Sequence, residues 1–224
     1  MANNSTALRL QDFGKFAAQA HAFRLEPKSP PLYLPGIKSL LNSGLQRGIV
    51  AEVNGGRSSG RTSVCLHILA QATQTGEVCA VIDLYDTFAP GAAANAGVQL
   101  DRLVWVRCHG NIEHAMRAAD LVLHAGGFGV VLLDLCEASP RALNRIPFSY
   151  WYRFRRAVEH TPAIFVVCAD TPQAKSCSSA SLFLTSKRFH WSGNPPFSLL
   201  RSIEVNATLG SAAAPPSSIQ IRVA

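Results

Sequence analysis

Two periods alternate along the chain's apolar positions, and the switches between them mark out its elements. At the start, Leu8, Leu10, Phe13, Phe16, Ala17 and Ala20 recur at helical spacing, which predicts one amphipathic helix over residues 1–24. Residues 27–35, PKSPPLYLP, cannot hold a helix, because proline lacks a backbone N–H and fixes its φ. They predict an extended connector, so the first helix is an arm that docks on its own body or on a neighbouring molecule. A short helix over 37–45 follows, and then strands and helices alternate. The predicted order is strand 49–53, a Gly-rich turn over 54–60, helix 62–73, strand 78–84, a short helix over 92–96 and strand 103–108. Helix 112–125, strand 130–135, helix 150–160 and strand 163–168 continue it. Three last β segments, 182–188, 202–209 and 219–223, have no helix between them.

Strands that alternate with helices of this length imply a parallel sheet covered on both faces. The inner strands are continuous apolar runs, as burial on two sides requires. The closing three are expected as antiparallel edge strands or a hairpin. The fold expected is therefore α/β, a mostly parallel central sheet flanked by helices, with antiparallel C-terminal edge strands and an N-terminal helical arm. Residues 1–35 form the arm and connector, and residues 36–224 form one domain.

Composition changes this picture in two respects. Of the 224 residues, 21 are Lys or Arg and 14 are Asp or Glu, a formal charge of +7 that favours polyanions or acidic protein surfaces as partners. The six cysteines (65, 79, 108, 136, 168 and 177) sit mostly within apolar runs such as VCAVID and AIFVVC, and none forms a C-x-x-C pair. That pattern reads as buried, reduced thiols of a cytoplasmic protein, with no structural metal. The seven histidines are scattered without metal-ligand spacing. No apolar run reaches spanning length.

The sharpest chemistry lies in Gly55-Gly56-Arg57-Ser58-Ser59-Gly60-Arg61-Thr62, between a predicted strand and helix, with Ser63 next in the first helical turn. It matches the phosphate-loop layout G-x-x-x-x-G-K-[ST] except that Arg61 stands where lysine belongs. Glycines there let backbone N–H groups close around phosphate oxygens, the helix N-terminus adds a favourable dipole, and Thr62 offers a hydroxyl to Mg²⁺. Arginine is longer, planar and fork-shaped, so Arg61 either pairs with phosphate from a shifted position or turns away from it. Asp134 ends the apolar strand at 130–134, where α/β ligand sites form, and supplies a second Mg²⁺ contact. ATP with Mg²⁺ is the cofactor these residues suit; a loop kept only for its packing is the alternative.

The stretches GIVAEVNGGRSSGRTS, GEVCAVIDLYDTFAP, GVQLDRLVWVRC and GVVLLDLC resemble, in order and spacing, the core of the RecA recombinases. The resemblance covers roughly residues 48–169. It implies a RecA-like fold and, at the matching positions, phosphate-loop roles for Gly55, Gly60, Arg61 and Thr62 and a metal role for Asp134. The departures are chemical. The family's catalytic glutamate falls at Tyr85, whose phenol is no base near neutral pH. Asp86, one residue on, is the remaining candidate base. The family's strand-terminal glutamine is replaced within Cys168-Ala169-Asp170, and its DNA-binding loop shrinks to residues 170–179.

This combination looks like the ImuA branch of RecA-like proteins, which implies an accessory role in DNA-damage-induced translesion synthesis through protein contacts. The partners so implied are ImuB-like and DnaE-type polymerase proteins or RecA. RIPFSYWYRFRRAVEHTP is similar to that branch too, and puts Arg145, Trp151, Arg153, Arg155 and Arg156 forward for binding a partner or single-stranded DNA. Against that stands simple burial of Trp151, Phe154 and Val158 at i, i+3 and i+7. Two other readings remain: a DNA-stimulated ATPase using Arg61 and Asp86, and a SulA-like inhibitor of cell division, a type that lacks the Gly-rich loop.

Overall fold

The computed structural model describes residues 30–33, 44–194 and 196–210, and the backbone of 217–222. The predicted N-terminal helix, most of the proline-rich connector and nearly all of the helix predicted at 37–45 lie outside the described residues. Leu45, the last residue of that stretch, is extended and pairs antiparallel with Leu32.

Among the described residues, eight strands form one sheet. They are β1 (Ile49–Gly55), β2 (Cys79–Asp83), β3 (Leu103–Arg107), β4 (Val130–Asp134), β5 (Ile164–Ala169), β6 (Ala180–Ser192), β7 (Leu199–Leu209) and β8 (Ser217–Arg222). Their order in the sheet is β3-β2-β4-β5-β1-β6-β7-β8. The first six are parallel to their neighbours; β6–β7 and β7–β8 are antiparallel, as expected of segments without intervening helices. The helices are α1 (Arg61–Gln74), α2 (Pro90–Asn95), α3 (Ile112–Ala125), α4 (Pro140–Leu143) and α5 (Phe148–Val158).

Alternation along the strands divides the core into two layers. In β5, Phe165, Val167 and Ala169 pack with α3 and α5, whereas Ile164, Val166 and Cys168 pack with α1. The same rule sends Val131 and Leu133 of β4 to the first layer and Val130 and Leu132 to the second. By the period of two, Asp134 comes off β4 on the α1 side, as Cys168 comes off β5. Helix α5 lands where its period demands: Trp151, Phe154 and Val158 are all buried, with Phe154 edge-on to Phe165 at 5.1 Å.

Of the six described non-glycine residues with left-handed backbone, five gather at one end of the sheet, and the sixth, His160, precedes β5. Ser58, Asp86, His109, Glu137 and Lys175 all have φ between 49° and 69°, and they follow β1, β2, β3, β4 and β5 in turn. Each loop leaving the carboxyl ends of β1 to β5 thus holds a non-glycine residue in the left-handed region. That is the edge where α/β ligand sites form, and strain of this kind persists where surrounding structure enforces it.

Candidate phosphate loop and the groups that close it

The loop leaves β1 at Gly55 and enters α1 through Gly60, whose φ of 87° only glycine adopts freely. A Cβ on Gly55 would collide with the Ser59 side chain and with the Leu184 carbonyl oxygen, 2.6 Å away. Both glycines are therefore fixed by the turn. No side chain caps α1, so the amides of its first turn, from Arg61, Thr62 and Ser63, have no intrahelical acceptor. Thr62 and Ser63 are exposed there, as are Gly56, Arg57 and Ser58. Beneath them the Ser59 hydroxyl and both amide atoms of Asn54 are buried and have no hydrogen-bond partner among the described residues. Buried polar atoms rarely stay unpaired, and these flank a set of open amides. The cradle fits a phosphate group.

Its cation does not behave as the phosphate-loop lysine would. Arg61 is buried, 6% exposed in its side chain, and neither reaches solvent nor stands free for a ligand. Its guanidinium donates to the Gly55 carbonyl and to the Asp170 carboxylate, and lies 3.6 Å from Glu137. Arg57 caps the arrangement from solvent by donating to Glu137, 3.0 Å from Nε to Oε2. The Arg57 hydrogen bond, outweighing desolvation, holds the Glu137 carboxyl below its ordinary range. Two carboxylates thus stand beside the loop cation where a phosphate would need it, and like charge repels like.

Asp134 and Asp83 are register partners at the ends of β4 and β2. Burial comes first in pushing the Asp134 carboxyl above its ordinary range, and the neighbouring Asp83 adds to it; the amide of Cys136 and the charge of Arg61 oppose. Asp83 accepts from the Phe88 amide at 2.8 Å and the Trp105 indole at 3.2 Å. With Mg²⁺ bound, Thr62 and Asp134 would be the groups to hold it, and the ion would offset this crowding of charge.

Neither Tyr85 nor Asp86 is placed as a free general base. Tyr85 is 40% exposed and lies against Gly110. Asp86 is bound to Arg107 at 3.2 Å and to both the amide and the ring of His109. Desolvation would raise its carboxyl, but these contacts prevail and hold it below the usual range, where it is a poor proton acceptor.

One predicted binding residue needs correction. Trp151 is 3% exposed, so its ring fills the core and cannot stack on a base or a partner. The outward aromatics of α5 are Phe148 and Tyr152, which meet edge to face at 5.2 Å. Arg145, Arg155 and Arg156 are exposed beside them. Arg153 is tied to Asp120 and stacks on Tyr150 at 5.7 Å.

Two features escaped the sequence pattern. Glu52, in the middle of β1, is buried and accepts from the Gln173 and Ala174 amides at 2.6 and 2.7 Å and from Ser181 at 2.9 Å. It anchors the short loop after β5; a lone glutamate within an apolar strand was the signal. A groove of about 630 Å³ opens beside that loop, lined by residues including Lys175, Ser179, Phe183 and Thr208, and no phosphate-loop residue lines it. The second feature is a thiol cluster. Cys136 and Cys168 approach to 3.2 Å between sulfurs, and Cys65 of α1 contacts Cys168. The contact with Cys168, and then burial, push the Cys136 thiol far up; for Cys168, Cys136 pulls down, but Cys65 and burial prevail.

Residues 37–143 match the model of the RecA N-terminal domain. The protein RecA of Laribacter hongkongensis is 37% identical over 95 residues, 42% of this chain and 27% of that protein. The protein RecA of Methylococcus capsulatus is 39% identical over 100 residues, 44% and 28% respectively. The matched stretch thus spans little more than a quarter of those relatives. With the sheet order and the loop, these likenesses support a RecA-like fold over the matched stretch. Among the described residues, no helix is long and apolar enough to cross a membrane.

Proposed function

We propose that this chain is an accessory, RecA-like protein of DNA-damage tolerance, an ImuA-type adaptor that works by contacting partner proteins and keeps its phosphate loop as a binding or structural element. The observation that carries the reading is the state of Arg61. A loop cation already neutralised by Asp170 and Glu137 is poorly placed to stabilise charge developing on a transferred phosphoryl group. The absence of a free base at Tyr85 and Asp86 points the same way. RecA, ImuB-type and DnaE-type proteins are the expected partners, and the outward face of α5, with Arg145, Tyr152, Arg155 and Arg156, suits such a contact.

The chemistry left to the chain's own residues is binding. The α1 amides would orient a phosphate, and Thr62 and Asp134 would hold Mg²⁺ beside it; ATP is the ligand that would bring both. Purified protein should release phosphate from ATP no faster than Arg61→Ala. A magnesium-dependent rate that this substitution abolishes would sink the reading and restore the DNA-stimulated ATPase. A pull-down in which RecA, ImuB-type and DnaE-type proteins all fail to bind would remove the adaptor role.

A further inference from the structure

Beneath the phosphate loop, Asp134, Cys136 and Cys168 bring one oxygen and two sulfurs within 4.8 Å of one another. We propose that these three side chains form a binding site for a thiophilic divalent cation, Zn²⁺ by its chemistry, with a fourth coordination position left open. Four observations bear on it.

The ligand types come first. Two sulfurs and one carboxylate oxygen suit Zn²⁺, whereas Mg²⁺ demands an octahedron of oxygens and would draw only on Asp134. Distances follow. Zn–S bonds of about 2.3 Å in a tetrahedral site set two sulfurs about 3.8 Å apart. The 3.2 Å between Cys136 and Cys168 therefore needs to open by only about half an ångström, within reach of small thiol rotations.

Support of the ligands is the third. Asp134 and Cys168 are register partners on adjacent parallel strands, and the Leu135 amide donates to the Cys168 carbonyl at 2.9 Å. The Cys136 amide donates to Asp134 Oδ1 at 2.9 Å, which fixes the carboxylate. Such outer contacts hold ligands in place before the ion arrives.

Charge is the fourth. A carboxylate and two thiolates carry three negative charges, of which one divalent cation offsets two, and the Arg61 guanidinium, shared with Asp170 and Glu137, is felt at both sulfurs. Cys65 packs on Cys168 but lies outside the three-atom cluster, so the open position is left to water or a small ligand.

The test is a cobalt titration of the full chain, stripped with chelator and held under reductant to exclude a disulfide. One equivalent of Co²⁺ should raise a thiolate-to-cobalt charge-transfer band in the near ultraviolet together with intense visible bands of a tetrahedral ion. One equivalent of Zn²⁺ should bleach both. Cys136→Ser and Cys168→Ser should each weaken binding by at least about tenfold. Cys108→Ser, in the opposite layer of the core, should bind as the parent does. Circular dichroism of each variant shows whether it has folded. Should the serine variants unfold, Asp134→Asn is the second variant, expected to keep the charge-transfer band while shifting the visible bands and weakening binding. Failure of the band to appear at stoichiometric cobalt, or an undiminished band in folded Cys168→Ser, overturns the site. No step of the test involves nucleotide, so its outcome is independent of the phosphate loop's role.

Discussion

Asp86 follows β2 with a φ of 61°, a left-handed backbone that costs a non-glycine residue energy unless its surroundings enforce it. Here the enforcement is electrostatic: Arg107 and His109 both converge on the carboxylate, whose side chain is only 13% exposed. A carboxyl whose folded value lies below its unfolded value of about 3.9 stabilises the fold above that unfolded value. The contribution drains away as pH falls from there through the folded value. Asp86→Asn keeps a residue that tolerates the left-handed turn but removes the charge. The expected result is lower stability at pH 7 than the parent, with the two urea midpoints converging as pH drops below about 4. Midpoints that stay equally far apart at both ends of that range would show that the charge of Asp86 is not what matters. Arg61 answers differently. Freed of its main counter-charge in Asp170→Asn, the guanidinium should become available to an anion, and calorimetry should find nucleotide binding tighter than in the parent. Unchanged affinity would mean that Asp170 does not compete with phosphate.

At the scale of elements, α1, α3, α5 and the inner strands were legible because each has one period and one burial pattern. Helix α5 shows both the strength and the limit of that legibility. Its i, i+3, i+7 apolar set correctly marks the buried stripe, yet the same residues, read as an arginine-aromatic cluster, put Trp151 forward as a binding group. Composition along a window cannot tell inward rings from outward ones; the helical period can. Trp151→Ala should cost about 3–5 kcal/mol, the range for emptying a large aromatic site in a packed core. Arg156→Ala, on the solvent side, should fall within about 0.5 kcal/mol. Urea unfolding of the two variants reads the contrast directly, and similar losses from both would refute the assignment of faces. The β6–β7 hairpin was read too short for a related reason. Its outer half carries Phe189, Trp191, Phe197 and Leu199 in the open, so neither face is buried there and no alternation marks where pairing stops. The thiol cluster stayed hidden because neighbours across a parallel sheet are far apart in sequence: Cys136 and Cys168 meet only once β4 and β5 are laid side by side.

Across the whole molecule, the two ends of the sheet are built for opposite purposes. The carboxyl end holds five left-handed loop residues, the open amides of α1 and the unpaired atoms of Asn54, Ser59 and Asp83. The amino end is drawn together by one side chain. Arg47, just before β1, makes a two-pronged ion pair with Glu77, just before β2, at 2.6 and 2.8 Å. Its guanidinium also reaches the Gly129 carbonyl before β4 at 3.4 Å and the Pro162 carbonyl before β5 at 3.3 Å. The entries of the four adjacent strands β2, β4, β5 and β1 are thereby tied to a single cation. Both partners are buried, 7% and 6% exposed in their side chains, so removing one strands the other charge away from water. Arg47→Ala should therefore cost about 3–5 kcal/mol. For a domain of this size that lowers Tm by roughly 6–20 °C. Arg57→Ala, which breaks a solvent-screened pair on the exposed side of the phosphate loop, should change stability far less. Thermal unfolding of the two variants side by side tests the division of labour. A loss in Arg47→Ala no larger than in Arg57→Ala would mean that the amino end is not where the sheet is held.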